Sequence, residues 1–186
     1  MLPVFYVVYF IWFLSEILLN RFLHSKASDK QEADKNSLRI IWITIIVAMF
    51  AATFISMKYY FPISGYALIQ EIGLIVIIAG IVLRLLAVYT LGKFFTVDVT
   101  IREGHQLLKT GFYKTLRHPS YFASLISFIG YGISLNNWLS LIIIVVAILS
   151  AFIYRIKIEE KTLIAFFGNE YLDYKKKTSA IIPFIY

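Results

Sequence analysis

Long apolar runs separated by short polar segments organise this chain. A helix that crosses a bilayer needs about 20 mostly apolar residues, and five runs approach this length: Pro3–Leu19, Ile40–Met57, Ile72–Leu91, Pro119–Leu135 and Trp138–Tyr154. Asn136 and Asn137 predict a tight turn that makes a helical hairpin of the last two runs. We therefore predict an all-α fold, a polytopic membrane helix bundle with five transmembrane helices.

The chain shows no linker that would divide it into separate domains. We predict a single integral membrane domain over residues 1–186, in which residues 1–91 form three N-terminal spans. Residues 92–186 would then form a polar loop, the helical hairpin and a C-terminal segment. The N-terminal run lacks both a basic leading segment and a small-residue cleavage site, so we expect a retained span and not a signal peptide.

Composition and charge agree with a membrane protein. Of the 186 residues 60% are hydrophobic, against about 45–50% in soluble domains, and the mean hydropathy is +0.77. The net charge of +7 indicates cytoplasmic loops that face anionic headgroups, and we predict no nucleic-acid partner. The basic connectors are Arg21–Arg39, Lys93–Arg117 and Arg155–Lys177. The positive-inside rule then places the N-terminus outside and the C-terminus in the cytoplasm.

Several classes of site are excluded by the residues themselves. The chain has no cysteine, which excludes disulfides, thiolate nucleophiles and cysteine zinc sites. His105 and His118 have no third strong ligand at a useful spacing, so we predict no metal site. No P-loop, nucleophile elbow or HExxH motif occurs, and Gly130 to Gly132 lie inside an apolar run, where we expect them to serve helix packing.

Two charged residues fall within the predicted spans. Glu16 is a functional candidate because an acid at membrane depth is costly, although it could instead reach the interface or pair with Arg21. Arg84 should face protein or lie near the cytoplasmic boundary for the same reason. Gly73 and Gly80 lie in the first half of this third run, where we expect them to allow a close approach of helices.

A polar, basic island, Gly104–Tyr121, separates the third and fourth spans. Proline is favoured at the first position of a helix, so Pro119 should open the fourth helix and leave His118 at its cap. The free N–H groups of such a terminus suit an anionic group. We predict that the island, closed over by the segment after Tyr154, forms a cofactor pocket on the cytoplasmic face. Tyr113 and Tyr121 could stack on a ligand ring or anchor the chain at the interface.

Arg155 and Glu159 share one helix face because they are four residues apart. They could form a simple ion pair. Alternatively, Glu159 would accept hydrogen bonds from a cofactor while Arg155 clamps an anionic group of the substrate through its planar fork. Glu160 points about 100° away from this face, and we expect it to be solvated.

The order and spacing of several motifs resemble those of the isoprenylcysteine carboxyl methyltransferase (ICMT) family, and this chain is similar to a short, prokaryote-like member. The resemblance runs from about Gly80 to Ile185 and is carried by Gly111–Tyr113, Arg117–Tyr121, Asn136, Arg155, Glu159–Glu160, Leu163, Phe167–Tyr171, Tyr174–Lys176 and Ile182–Ile185. It implies an integral membrane enzyme that uses S-adenosylmethionine.

The resemblance also implies roles for particular residues. The family's substrate-side, catalytic arginine falls at Arg155. The family has a further polar contact upstream, for which Asp98 is the nearest candidate. Its cofactor contacts fall at His105, Gln106, Leu107, Leu108, Tyr113, His118, Pro119, Ser120, Tyr121 and Glu159.

We therefore predict an S-adenosylmethionine-dependent O-methyltransferase. It would methylate a carboxylate, or a hydroxyl, of a lipophilic acceptor such as a prenylated cysteine; a carboxylate is ionised near pH 7 and needs no general base. One alternative is an enzyme that forms methyl ethers of phenolic or enolic lipids. Others are a nicotinamide-dependent reductase of sterol-like lipids and a non-catalytic transporter or scaffold. The short N-terminal part favours a bacterial plasma membrane.

Overall fold

The structure, a computed structural model, describes residues 2–23, 35–101 and 104–183. The middle of the predicted Arg21–Arg39 connector and the last residues of the C-terminal tail lie outside the described residues. Six α-helices follow one another: α1 Leu2–Phe22, α2 Lys35–Lys58, α3 Leu68–Leu91, α4 Pro119–Ser134, α5 Trp138–Phe167 and α6 Asn169–Lys177. Two short 3-10 helices, Gly92–Phe94 and Gly111–Lys114, lie between α3 and α4.

The predicted fold class is confirmed, because the regular structure of the described residues is helical. Within these residues, α1, α2, α3 and α5 are long and apolar enough to cross a membrane. The fourth predicted span, α4, has only 16 residues, or about 24 Å of helix. The fifth, α5, continues past Tyr154 to Phe167 and has 30 residues, or about 45 Å, so its end extends beyond a hydrocarbon core of about 30 Å.

Glycines bring α3 and α4 into backbone contact. A Cβ atom at Gly130 would lie 2.6 Å from the backbone nitrogen of Ile77, and one at Gly80 would lie 2.6 Å from that of Ser127. A Cβ at Gly73 would likewise collide with the backbone of Ser134. The predicted packing role of these glycines is confirmed, and the contact holds α4 firmly along the buried side of α3.

An asparagine pair fixes the far end of the hairpin. Asn136 adopts a left-handed φ of 48°, and its side chain accepts from the backbone N–H groups of Ile63 and Ser64. Asn137 caps α5 by accepting from the N–H of Ser140 at 3.0 Å. The predicted turn is confirmed, and it also holds the α2–α3 connection in place.

The first helix is held by few contacts. In the segment of α1 that could span a membrane, 11% of the residues are buried, against 39% in that of α5. Tyr9 shares a 2.6 Å hydrogen bond with Ser134 of α4, and Trp12 packs edge-on against Phe128, with ring centroids 4.9 Å apart. Most of α1 therefore presents its side chains to the surroundings of the bundle.

The proposed pairing of Glu16 with Arg21 was wrong. Glu16 Oε1 lies 2.6 Å from Nε of Arg84, and Arg84 also donates to the hydroxyl of Ser120 at 2.7 Å. Arg84 does face protein, as predicted. The pairing has a physical reason, because two charges at membrane depth are least costly when they neutralise each other.

Candidate functional site

One cavity of about 450 Å³ lies between the helices and the island. All eleven site residues predicted from the sequence line it: Arg155, His105, Gln106, Leu107, Leu108, Tyr113, His118, Pro119, Ser120, Tyr121 and Glu159. Asp98, the nearest candidate for a further polar contact, is buried and lines it as well. Residues as far apart along the chain as Asp98 and Glu159 thus line one cavity.

The polar end of the cavity is assembled by the island and the C-terminal segment. The N–H of Arg117 donates to the carbonyl of Ser179 at 2.9 Å, and the N–H of His118 donates to that of Ala180 at 3.0 Å. A parallel bridge pairs Leu116 with Ser179. These backbone bonds draw the C-terminal segment over the island, and Pro119 opens α4 immediately beyond them.

His118 lies between two carboxylates. It occupies the N-cap position of α4 as predicted, but its side chain makes no capping hydrogen bond. Instead the buried imidazole has Nδ1 3.8 Å from Glu159 Oε1 and Nε2 3.5 Å from Glu160 Oε1. The ring therefore lines the cavity with a carboxylate within 4 Å of each of its nitrogens.

Glu160 is buried, and the expectation that it would be solvated was wrong. Its carboxylate accepts from Arg117 Nε and from Lys175 Nζ, each at 2.6 Å. The α6 helix and the island fold over this side of α5, which the direction of the side chain alone does not reveal. Glu160 thus joins three segments beneath the cavity, while its neighbour Glu159 remains on the cavity wall.

Glu159 and Arg155 each have partners beyond their own helix. Glu159 accepts from the hydroxyl of Tyr121 at 3.1 Å, and about a third of its side chain is exposed. Arg155 is almost fully buried; it donates to the hydroxyl of Ser37 and, at 2.5 Å, to the carbonyl of Val97. The guanidinium therefore connects α5 with α2 and with the loop after α3.

Aromatic rings form the wall next to the island. His105 stacks on Phe94 at 5.0 Å and meets the edge of Phe167 at 5.6 Å. Tyr113 is buried, which excludes the role of an interfacial anchor, and its hydroxyl donates to the carbonyl of Ala87 at 3.3 Å. Burial raises the pKa of Tyr113, so its hydroxyl stays protonated at neutral pH. Among the described residues, no cluster of three or more histidine and acidic side chains could hold a metal ion.

Apolar side chains of α1 and α2, two helices long and apolar enough to cross a membrane, line another part of the cavity, its apolar end. They are Phe10, Phe13, Trp42, Ile45 and Met49. The sequence does not reveal these residues as part of a site, since a lipid-facing aromatic residue and one that lines a cavity have the same local pattern. Tyr171 and Tyr174 of α6 also line the cavity and were not predicted as site residues, although both fall in motifs that carried the resemblance.

Comparisons with known proteins match this arrangement to one family. The sequence model of the isoprenylcysteine carboxyl methyltransferase (ICMT) family matches residues 72–165. Protein-S-isoprenylcysteine O-methyltransferase B of Arabidopsis thaliana is 39% identical over 119 residues, which cover 63% of this chain and 60% of the relative. The Saccharomyces cerevisiae protein-S-isoprenylcysteine O-methyltransferase is 40% identical over 116 residues, which cover 61% of this chain and 48% of the relative.

Two further matches extend the comparison. A probable protein-S-isoprenylcysteine O-methyltransferase of Oryza sativa subsp. japonica is 37% identical over 128 residues, 67% of each chain. A solved structure of the eukaryotic intramembrane Ras methyltransferase ICMT superposes with a TM-score of 0.64 at 31% identity, covering 96% of this chain and 63% of that one. The chain thus spans about half to two thirds of the length of these relatives. It belongs to the isoprenylcysteine carboxyl methyltransferase family.

Proposed function

We propose that this chain is an S-adenosylmethionine-dependent O-methyltransferase that methylates the carboxylate of a lipophilic acceptor such as a prenylated cysteine. One observation carries the proposal: a single cavity joins a polar end, lined by His118 and Glu159, to an apolar end lined by α1 and α2, two helices long and apolar enough to cross a membrane. A water-soluble methyl donor and a lipid-linked acceptor can meet only in a space of this kind. Membership of a methyltransferase family favours this function over the reductase and the transporter.

The residues at the polar end fit the cofactor. Pockets for ligands of this size have volumes of about 300–1,000 Å³, and the cavity lies in that range. The Glu159 carboxylate has spare lone pairs for hydroxyl or ammonium groups, and the aromatic wall of His105 and Tyr113 suits a flat ring. The other residues that would hold the cofactor are Gln106, Leu107, Leu108 and His118 to Tyr121. Bound S-adenosylmethionine would supply an electrophilic methyl group.

The protein's own part is positioning and the exclusion of water. A carboxylate acceptor is already ionised at neutral pH, so no side chain has to remove a proton. Arg155 would orient the acceptor oxygens, and its hydrogen bonds to Ser37 and to the Val97 carbonyl hold the guanidinium in a fixed direction. A fixed orientation of the reacting groups can lower the activation free energy by about 7 kcal/mol or more.

His118 supports a second candidate, ether formation on a phenolic or enolic lipid. Such an acceptor must lose a proton, and an imidazole with carboxylates 3.5 and 3.8 Å away is a suitable general base. The chemistry of the product separates the two candidates, because a methyl ester releases methanol in mild base and a methyl ether does not.

The proposal is tested by incubating the protein in lipid nanodiscs with methyl-labelled S-adenosylmethionine and a farnesylated cysteine. We expect labelled product whose label is released by mild base. Arg155→Ala should reduce turnover far more than cofactor affinity, and Lys109→Ala, which removes an exposed amine paired with Glu170, is the matched control. Absence of any labelled lipid would contradict the function, and equal losses of turnover and cofactor affinity would contradict the role of Arg155.

The protein is an integral membrane protein, and we propose that its N-terminus lies outside and the polar end of the cavity faces the cytoplasm, in a bacterial plasma membrane. The basic connectors support this orientation. The chain has no cysteine, so a single introduced cysteine reports the side of the membrane on which it lies. In intact cells, Lys177→Cys should not react with an impermeant maleimide, and Gly65→Cys should react. The opposite result would show that the protein has the opposite orientation.

A further inference from the structure

Two tyrosines of α6 differ in one respect. Tyr171 and Tyr174 are both buried, both line the cavity, and their rings meet edge-on with centroids 6.0 Å apart. The hydroxyl of Tyr174 donates to the carbonyl of Tyr113 at 2.5 Å and lies 3.4 Å from that of Leu116. The hydroxyl of Tyr171 has no hydrogen-bond partner among the described residues.

A buried hydroxyl without a partner does not stabilise the fold. It has lost its hydrogen bonds to water and gained none in return, whereas a phenylalanine of the same shape would carry no such cost. Buried polar groups in proteins are nearly always satisfied, and an exception calls for a partner outside the chain. For Tyr171, with 1% of its surface exposed, that partner is a ligand of the cavity or an ordered water.

The surroundings of Tyr171 select the kind of partner. The charges of two acids act on Tyr171. Glu160 is already engaged by Arg117 and Lys175, whereas Glu159 retains spare lone pairs on the cavity wall. Burial, and then the charges of Glu160 and Glu159, raise the pKa of Tyr171, so the phenol remains a protonated donor at any physiological pH. A polar group that binds beside Glu159 therefore meets a carboxylate acceptor and a phenol donor together.

We infer that the Tyr171 hydroxyl hydrogen-bonds the methyl donor beside Glu159, by donating either to a ribose hydroxyl of its nucleoside or to the carboxylate of its amino-acid part. The inference rests on the proposed function, because it requires the cofactor to bind in this cavity. Tyr171 would then be a cofactor-binding residue, and Tyr174, whose hydroxyl is satisfied by the chain itself, would be a structural one.

The same substitution at the two positions tests the difference. The protein in nanodiscs is measured without cofactor for its unfolding temperature and then titrated with S-adenosylhomocysteine. For Tyr171→Phe we expect an unchanged or higher unfolding temperature and an affinity about fivefold to tenfold weaker, the value of one lost hydrogen bond. For Tyr174→Phe we expect a lower unfolding temperature, since the buried carbonyl of Tyr113 loses its donor.

The outcomes are distinguishable. If the wild-type protein does not bind S-adenosylhomocysteine, the proposed function fails and this inference fails with it. If the wild type binds and Tyr171→Phe binds equally well, only the inference is overturned, and the partner is water. The inference is also overturned if Tyr171→Phe lowers the unfolding temperature of the free protein as much as Tyr174→Phe does. A parallel titration with methylthioadenosine, which lacks the amino-acid part, locates the contact. If Tyr171→Phe weakens the binding of both ligands, the hydroxyl contacts the nucleoside. If it weakens the binding of S-adenosylhomocysteine alone, the hydroxyl contacts the amino-acid part.

Discussion

Helices α4 and α1 line the same cavity but are held in very different ways. Eleven of the sixteen residues of α4 are buried, and glycines press its backbone against α3. Of the described side chains of α1, only Val8 and Trp12 are buried. The helix that carries His118 and Ser120 at its start is therefore fixed, and the helix that borders the apolar end is loosely attached.

The difference matches what the two ends of the cavity have to do. A cofactor of constant shape is best served by a wall that does not move, because small misplacements of reacting groups are costly. A lipid chain offers few directional contacts, and a wall with few contacts of its own can adapt to it. Substitutions at the two ends of the cavity test this division of roles.

Gly130→Val should have the largest effect. Its Cβ would lie 2.6 Å from the Ile77 backbone nitrogen, a contact that no change of rotamer relieves, so α3 and α4 would have to separate. Overpacking typically costs about 1–3 kcal/mol, and a clash with backbone should exceed this, giving little folded protein by size-exclusion chromatography. Gly65→Val is the control, because a Cβ there meets nothing within 4 Å; equal yields of the two variants would contradict a rigid contact between α3 and α4.

Glu160→Gln should have the second-largest effect on stability. The variant leaves the buried Arg117 guanidinium without its carboxylate, and breaking a buried pair costs about 3–5 kcal/mol. The control is Glu170→Gln, which breaks a pair with Lys109 that is about half exposed and worth about 0–1 kcal/mol. Both are measured as the shift in unfolding temperature. A loss for Glu160→Gln no larger than the control's would show that the polar end is not locked by this residue.

Glu16→Gln should have an intermediate effect, because it weakens one of the few ties of α1. The loss should be about 1.5–3 kcal/mol, the value of a hydrogen bond to a charged group, and Arg84 keeps its bond to Ser120. Ser15→Ala is the neighbouring control, since the hydrogen bond that its hydroxyl donates to the Trp12 carbonyl lies within α1. If the two variants unfold at the same temperature, α1 is not held through Arg84.

Much of this architecture could be predicted from the sequence, because its signals are local. Apolar run lengths predict the helices, and Pro119 predicts the start of α4. The partners of charged residues could not be predicted in the same way: Glu16 pairs with Arg84, and Glu160 is buried by segments distant along the chain. Pairings of this kind depend on how helices are arranged in space, about which an i, i+4 spacing carries no information.

The site shows the same limit. The resemblance placed eleven residues that do line one cavity, since motif order reports on a shared fold. The aromatic residues of the apolar end carry no such motif, and Phe10 differs from any lipid-facing phenylalanine only in where α1 happens to lie. For that reason the smallest predicted effect concerns this end of the cavity.

Phe10→Ala should leave stability and cofactor affinity unchanged and raise the KM for a farnesylated acceptor about threefold, or less than about 1 kcal/mol. The effect is small because Phe10 is 65% exposed and an acceptor chain exchanges lipid contacts for similar apolar ones, with little hydrophobic gain. Phe50→Ala is the matched control, since Phe50 is 75% exposed on α2 and lies outside the cavity lining. A tenfold or larger change in KM would mean that α1 grips the acceptor through specific shape, and an equal change for Phe50→Ala would mean that the acceptor does not pass between α1 and α2 at all.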